Sequence, residues 1–181
     1  MKNKGFTVLE AIVAIFILSL SISGSFAAVR QGLSQSIIAK DEVTAYYLAN
    51  EGIEIIKQKI ESNKISNVVN GTNFYWLSGV SGSGEPCNFG VVCRADGYSF
   101  ALSACGGFFG SCPQLYKNNT TNYYGWPPGG NNSGWTATNF KREILIESIT
   151  PDEISVTVRI TWTKGLINRE FRAKTLIFNW I

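Results

Sequence analysis

The stretch Lys4-Gly5-Phe6-Thr7-Val8-Leu9-Glu10-Ala11-Ile12-Val13-Ala14-Ile15-Phe16-Ile17-Leu18 decides how this chain is organised. It opens a run from Phe6 to Val29 that carries one charge, Glu10. As a helix that run reaches roughly 36 Å, enough to cross the hydrocarbon core of a bilayer. Lys2 and Lys4 precede it and Arg30 follows. The basic head predicts that the first residues stay cytoplasmic and the rest of the chain lies outside. A secretory signal peptide has a shorter apolar stretch and a small-residue cleavage site behind it. Ser25, Ala27 and Ala28 offer small residues there, but the run is long for that purpose. A simple signal anchor fits the length. Neither reading explains Glu10, since a carboxylate inside a spanning segment costs on the order of 2.5–3.5 kcal/mol on insertion scales and such residues tend to be functional.

The order Lys4-Gly5-Phe6-Thr7-Val8-Leu9-Glu10 resembles the class III signal of type IV prepilins and pseudopilins. The resemblance implies cleavage by a prepilin peptidase between Gly5 and Phe6, N-methylation of Phe6, and an assembly role for Glu10. It also implies the partners: other pilin subunits, the peptidase, an inner-membrane assembly platform, and the lipid bilayer before assembly. The physics is coherent. Cleavage leaves a positive amine in the apolar zone, where the Glu10 carboxylate of an adjacent subunit can neutralise it, and pairing relieves much of the cost of a buried charge. Such a pair can set the register between subunits.

Outward from this segment the chain turns amphipathic. Leu33, Ile37, Ile38, Ala45, Leu48, Ala49, Ile53, Ile56 and Ile60 recur at three- and four-residue steps. Lys40, Asp41, Glu42, Glu51, Glu54, Lys57 and Lys59 fill much of the other face. No proline falls between Phe6 and Ser62, so one helix of about 55 residues is expected, part membrane-embedded and part soluble. Gly24, Gly32 and Gly52 interrupt it. Close packing between helices and local melting around Ser21–Ser25 both remain open as reasons for them.

Residues 63–140 differ in kind. Their charges are Lys64, Glu85, Arg94, Asp96 and Lys117, and turn signals such as Ser81-Gly82-Ser83-Gly84 and Pro127-Pro128-Gly129-Gly130 are dense. A long irregular region is expected, with short strands at Phe89–Val92 and Tyr98–Leu102. It holds all four cysteines: Cys87, Cys93, Cys105 and Cys112. Their spacing suits zinc poorly. An even count behind a membrane-targeting segment reads as two disulfides formed in an oxidising compartment. Three pairings are open, and the sequential one, Cys87–Cys93 with Cys105–Cys112, closes the shortest loops. The aromatic side chains of this region belong to a small local core or, at Trp76 and Trp126, offer contact faces for a glycan or protein ligand.

The last forty residues alternate. Ile154, Val156, Val158, Ile160 and Trp162 interleave with Ser155, Thr157, Arg159, Thr161 and Thr163, flanked by the runs Arg142–Ile149 and Arg169–Trp180. Short connections make these an antiparallel meander with one face on the helix and a wet, mixed-sign outer face that includes Glu143, Glu147, Arg159, Glu170, Arg172 and Lys174. The Val156–Trp162 strand with its glycine turn and final strand is similar to that of PilV-like minor pilins.

The expected class is therefore α+β: the type IV pilin fold, a long N-terminal helix packed on a C-terminal antiparallel β-sheet with a disulfide-bearing loop region. The expected divisions are 1–5 leader, 6–29 transmembrane or filament-core helix, 30–62 amphipathic helix, 63–140 loop region and 141–181 meander. Function is expected to be structural, as a minor pilin or pseudopilin of a type IV pilus, type II secretion or competence filament. A membrane-anchored or pilus-tip module that adheres through the aromatic loop is the alternative. With no histidine, the commonest general base and metal ligand is missing. Neither catalysis, a cofactor nor a metal is expected. Three basic residues over the loop region do not supply a nucleic-acid surface.

Overall fold

The computed structural model describes Gly5 and residues 7–179; the expected roles of Phe6, of the leader lysines and of Trp180 fall outside them. One helix, α1, runs Val8–Asn70. Thr7 starts it: its Oγ1 accepts the Glu10 N–H at 3.3 Å, and its carbonyl accepts the Ala11 N–H at 3.2 Å. Thr7-Val8-Leu9-Glu10 has the spacing of a capping box. Gly71, at φ 63°, stops the helix in the left-handed conformation that glycine adopts without penalty.

The chain divides into two compact units, Met1–Glu42 and Val43–Ile181. From Val8 onward the first is helix. Its apolar window has a mean hydropathy of 2.3 and none of it is buried, so by length and composition it can cross a membrane.

The second unit is built on strand β5, Trp135–Thr150. Along one edge it pairs antiparallel with β6, Glu153–Lys164, which pairs in turn with β7, Ile167–Phe178. Along the other edge lie two short strands in tandem. β3, Gln114–Asn118, meets the first half of β5, and β1, Val92–Ala95, meets Ile144 and Leu145. β2, Leu102–Gly106, extends the sheet beyond β1, and β4, Tyr124–Gly125, extends it beyond β3. The long helix, antiparallel sheet and disulfide-bearing loops are the layout of the type IV pilin fold.

The core joins helix to sheet. Ala45, Leu48, Ala49, Ile53, Ile56 and Ile60 meet Ile144, Ile146, Ile154, Val156, Val158, Ile160 and Trp162. The three- and four-residue spacing on the helix and the two-residue spacing on the strands present matching apolar faces. Each buried aliphatic side chain contributes roughly 1.5–3 kcal/mol. Gly52 lets the two layers close up: a Cβ there would stand 3.2 Å from Arg142 Cδ and 3.3 Å from Val158 Cγ1.

Three expectations about these elements need correction. The helix continues past residue 62 to Asn70, because the side chains of Asn63 and Asn67 bond outward to the following loop and Gly71 is the first stop. Residues 63–140 are less irregular than their composition suggests. Strands β1–β4 and the start of β5 at Trp135 all lie there, and the expected short strands fall later, at Val92 and Leu102. These pieces hold their shape by pairing to the second edge of β5, a long-range effect with no local periodicity. The outer face of the meander is also only partly wet, since Glu143 is wholly buried.

Candidate functional site

The N-terminal motif is a carboxylate near the start of an apolar helix. Gly5, Thr7 and Glu10 are all exposed. Glu10 lies in the first turn, where the positive end of the helix dipole favours an acidic side chain. Around and beyond it Val8, Leu9, Ile12, Ile15, Phe16, Leu18 and Phe26 are all exposed. Ser19, Ser21 and Ser25 return their hydroxyls to the carbonyls of Ile15, Ile17 and Ser21 at 2.7, 2.9 and 2.9 Å. Those hydroxyls therefore need no water. Among the described residues the Glu10 carboxylate has no such partner, and in an apolar setting an unpaired carboxylate is costly.

Two buried charges brace the head. Arg142 lies on the inner face of β5, fully buried. It pairs with Glu51 of the helix and donates to the Leu48 carbonyl at 3.2 Å and the Ala95 carbonyl at 2.6 Å. The cluster leaves no room at its rim, where a Cβ on Gly97 would run into Glu51 and the Tyr124 carbonyl. Burial, and next the Glu51 charge, raises the Tyr124 phenol above its ordinary pKa. Sequence reading missed this cluster. The clue was available: Arg142 alternates in phase with Phe140, Ile144 and Ile146, and Glu51 adjoins the apolar helix stripe.

On the opposite face Glu143 takes two N–H groups from the second cysteine loop, Gly110 at 2.5 Å and Cys112 at 3.4 Å, and pairs with Arg159 at 2.6 Å. Arg159 also stands 4.3 Å from the Phe109 ring. The loop thus covers the carboxylate that was expected to be solvated. The disulfides that shape this region are Cys87–Cys93 and Cys105–Cys112.

The two tryptophans singled out from the sequence are held in different ways. Trp76 is 5% exposed. Trp126 is half-buried, donates its Nε1–H to the Gln114 carbonyl at 2.9 Å and carries the Arg94 guanidinium 4.5 Å from its ring. The Trp76 side chain lies in the apolar core, and helix residue Asn63 bonds to its carbonyl at 3.2 Å and to that of Ser78 at 2.8 Å.

The geometry defines a class: a subunit with an unburied apolar helix, a carboxylate at its head and a separately packed sheet. The family model of the prokaryotic N-terminal methylation motif matches residues 1–26. That motif is characteristic of type IV pilins and pseudopilins, and the long helix on an antiparallel sheet has the layout of their fold, so the chain is similar to them at both levels. Comparison with curated proteins and with solved structures finds no significant match.

Proposed function

We propose that this chain is a minor pilin or pseudopilin, made as a single-pass membrane precursor with its head outside the cytoplasm. The match of residues 1–26 to the methylation motif carries this reading. Prepilin peptidase cuts between Gly5 and Phe6 and methylates the Phe6 amine. The inner-membrane assembly platform then lifts the subunit out of lipid into a filament of a type IV pilus, type II secretion or competence system. Glu10 pairs with the Phe6 amine of a neighbour and sets the axial step. A minor role, of PilV-like kind, is favoured by the size of the 63–140 region, which is elaborate for a repeating shaft unit.

Mass spectrometry of the mature N-terminus tests the reading. The expected chain begins at methylated Phe6. An uncut Met1, or a start after Ala27 or Ala28, would sink it.

A further inference from the structure

At the end of α1 the Val43–Ile181 unit carries a cleft of about 470 Å³, within the size range of small-molecule sites. Its walls come from the last turns of the helix, the loop after it, the β5–β6 turn and the end of β7. We propose that this cleft binds a neutral saccharide.

The first observation is that both walls are built. Asn63 and Asn67 lie one turn apart on the same helix face. Asn63 holds the Trp76 and Ser78 carbonyls. Asn67 brackets Phe74, accepting its N–H at 2.8 Å and donating to its carbonyl at 2.8 Å, while also accepting the Thr72 hydroxyl at 3.0 Å. Across the cleft Asn179 donates its N–H to the Asp152 carbonyl at 2.8 Å and its side-chain amide to Asp152 Oδ1 at 3.2 Å. A loop tied at this many points loses little further entropy on binding.

The second is what these ties leave free. Phe74 and Tyr75 line the cleft and are each 53% exposed. Among the described residues the Tyr75 phenol, the Asn73 amide and Asp152 Oδ2 are not engaged. Lys64 uses one of its three N–H donors, on the Phe178 carbonyl at 2.8 Å. A sugar ring has a C–H face that stacks on an aromatic ring and a rim of hydroxyls that both donate and accept. Aromatic faces beside mixed donors and acceptors match it.

The third is charge. One cation, Lys64, and one carboxylate, Asp152, share the cleft. Burial lowers the Lys64 pKa against the opposing pull of Glu61. That balance selects a neutral ligand over an acidic or basic one.

The site lies in the head and does not depend on the filament reading. The test is the full-length chain in detergent micelles, applied to an array of neutral and anionic glycans. Retention on a set of neutral glycans is expected, with Tyr75→Ala and Asp152→Asn each weakening Kd by at least about tenfold. Tyr75→Phe keeps the ring and should retain binding within a few-fold, and Trp126→Ala should bind like the parent. Thermal unfolding of each variant separates lost binding from lost fold. The proposal is overturned if no neutral glycan is retained, if Tyr75→Ala binds as the parent does, or if binding is confined to anionic glycans and lost in Lys64→Gln.

Discussion

Ile15 and Ile56 belong to the same helix, yet the first is 67% exposed and the second is fully buried. Leu33 and Leu48 make the same contrast. The side chains do not differ; what covers them does. From Val43 onward the chain brings its own cover, a sheet whose inner face matches the helix stripe. Before that point most of the described apolar side chains are exposed. An apolar surface left open over this length needs lipid or other protein, and the N-terminal motif is consistent with both in succession. One half of the helix is stable by folding and the other by company.

The largest test of that contrast is at Glu10. Glu10→Ala should leave membrane insertion intact and remove the subunit from sheared filaments, as read by immunoblot. Normal incorporation would show that the open half finds its register without the carboxylate. In the sheet that covers the other half the corresponding residue is Arg142. Arg142→Ala strands Glu51 and two buried carbonyls, and a loss of about 3–5 kcal/mol is expected in thermal or denaturant unfolding. Insertion should be unaffected.

Glycines sharpen the comparison within one element. Gly52→Leu should destabilise the head by about 1–3 kcal/mol through overpacking. Gly24→Leu and Gly32→Leu should leave head unfolding unchanged, because nothing lies within 4 Å of either position. Equal effects at all three would erase the distinction. The smallest effect concerns Tyr124, whose folded pKa is raised by burial and then by Glu51. Folding favours its protonated form, so this contribution is complete below the ordinary tyrosine range and is lost as pH climbs through and above it. Tyr124→Phe should soften alkaline unfolding, and in ultraviolet difference spectra Tyr124 should ionise above the ordinary tyrosine range.

The sequence showed the helix and the meander because their periods are local: Leu48, Ala49, Ile53 and Ile56 on one, Ile154 to Trp162 on the other. Residues held by distant partners stayed hidden. β1 and β3 are strands because β5 lies beside them, and β5 begins only at Trp135, after both of them. Arg142 and Glu143 look like neighbouring surface charges until alternation sends one under the helix and the other beneath the Cys105–Cys112 loop. The Trp76 backbone is tied to the helix by Asn63, thirteen residues back. The N-terminal methylation motif was legible because it is a local run of residue types, whereas the cleft at the end of α1 exists only once Asn67, Phe74, Asp152 and Asn179 are brought together.

The position of β5 in the chain also imposes an order in time. As the polypeptide emerges, all four cysteines are out before Trp135, so the strand on which their loops will rest does not yet exist. Each disulfide closes across a separation of only 6 or 7 residues, and short loops close at low entropic cost. Both links can therefore be made on an unfolded segment, in the pairing that chain statistics already favour. When β5 arrives it meets two preformed rings rather than four loose thiols. The staples precede the page.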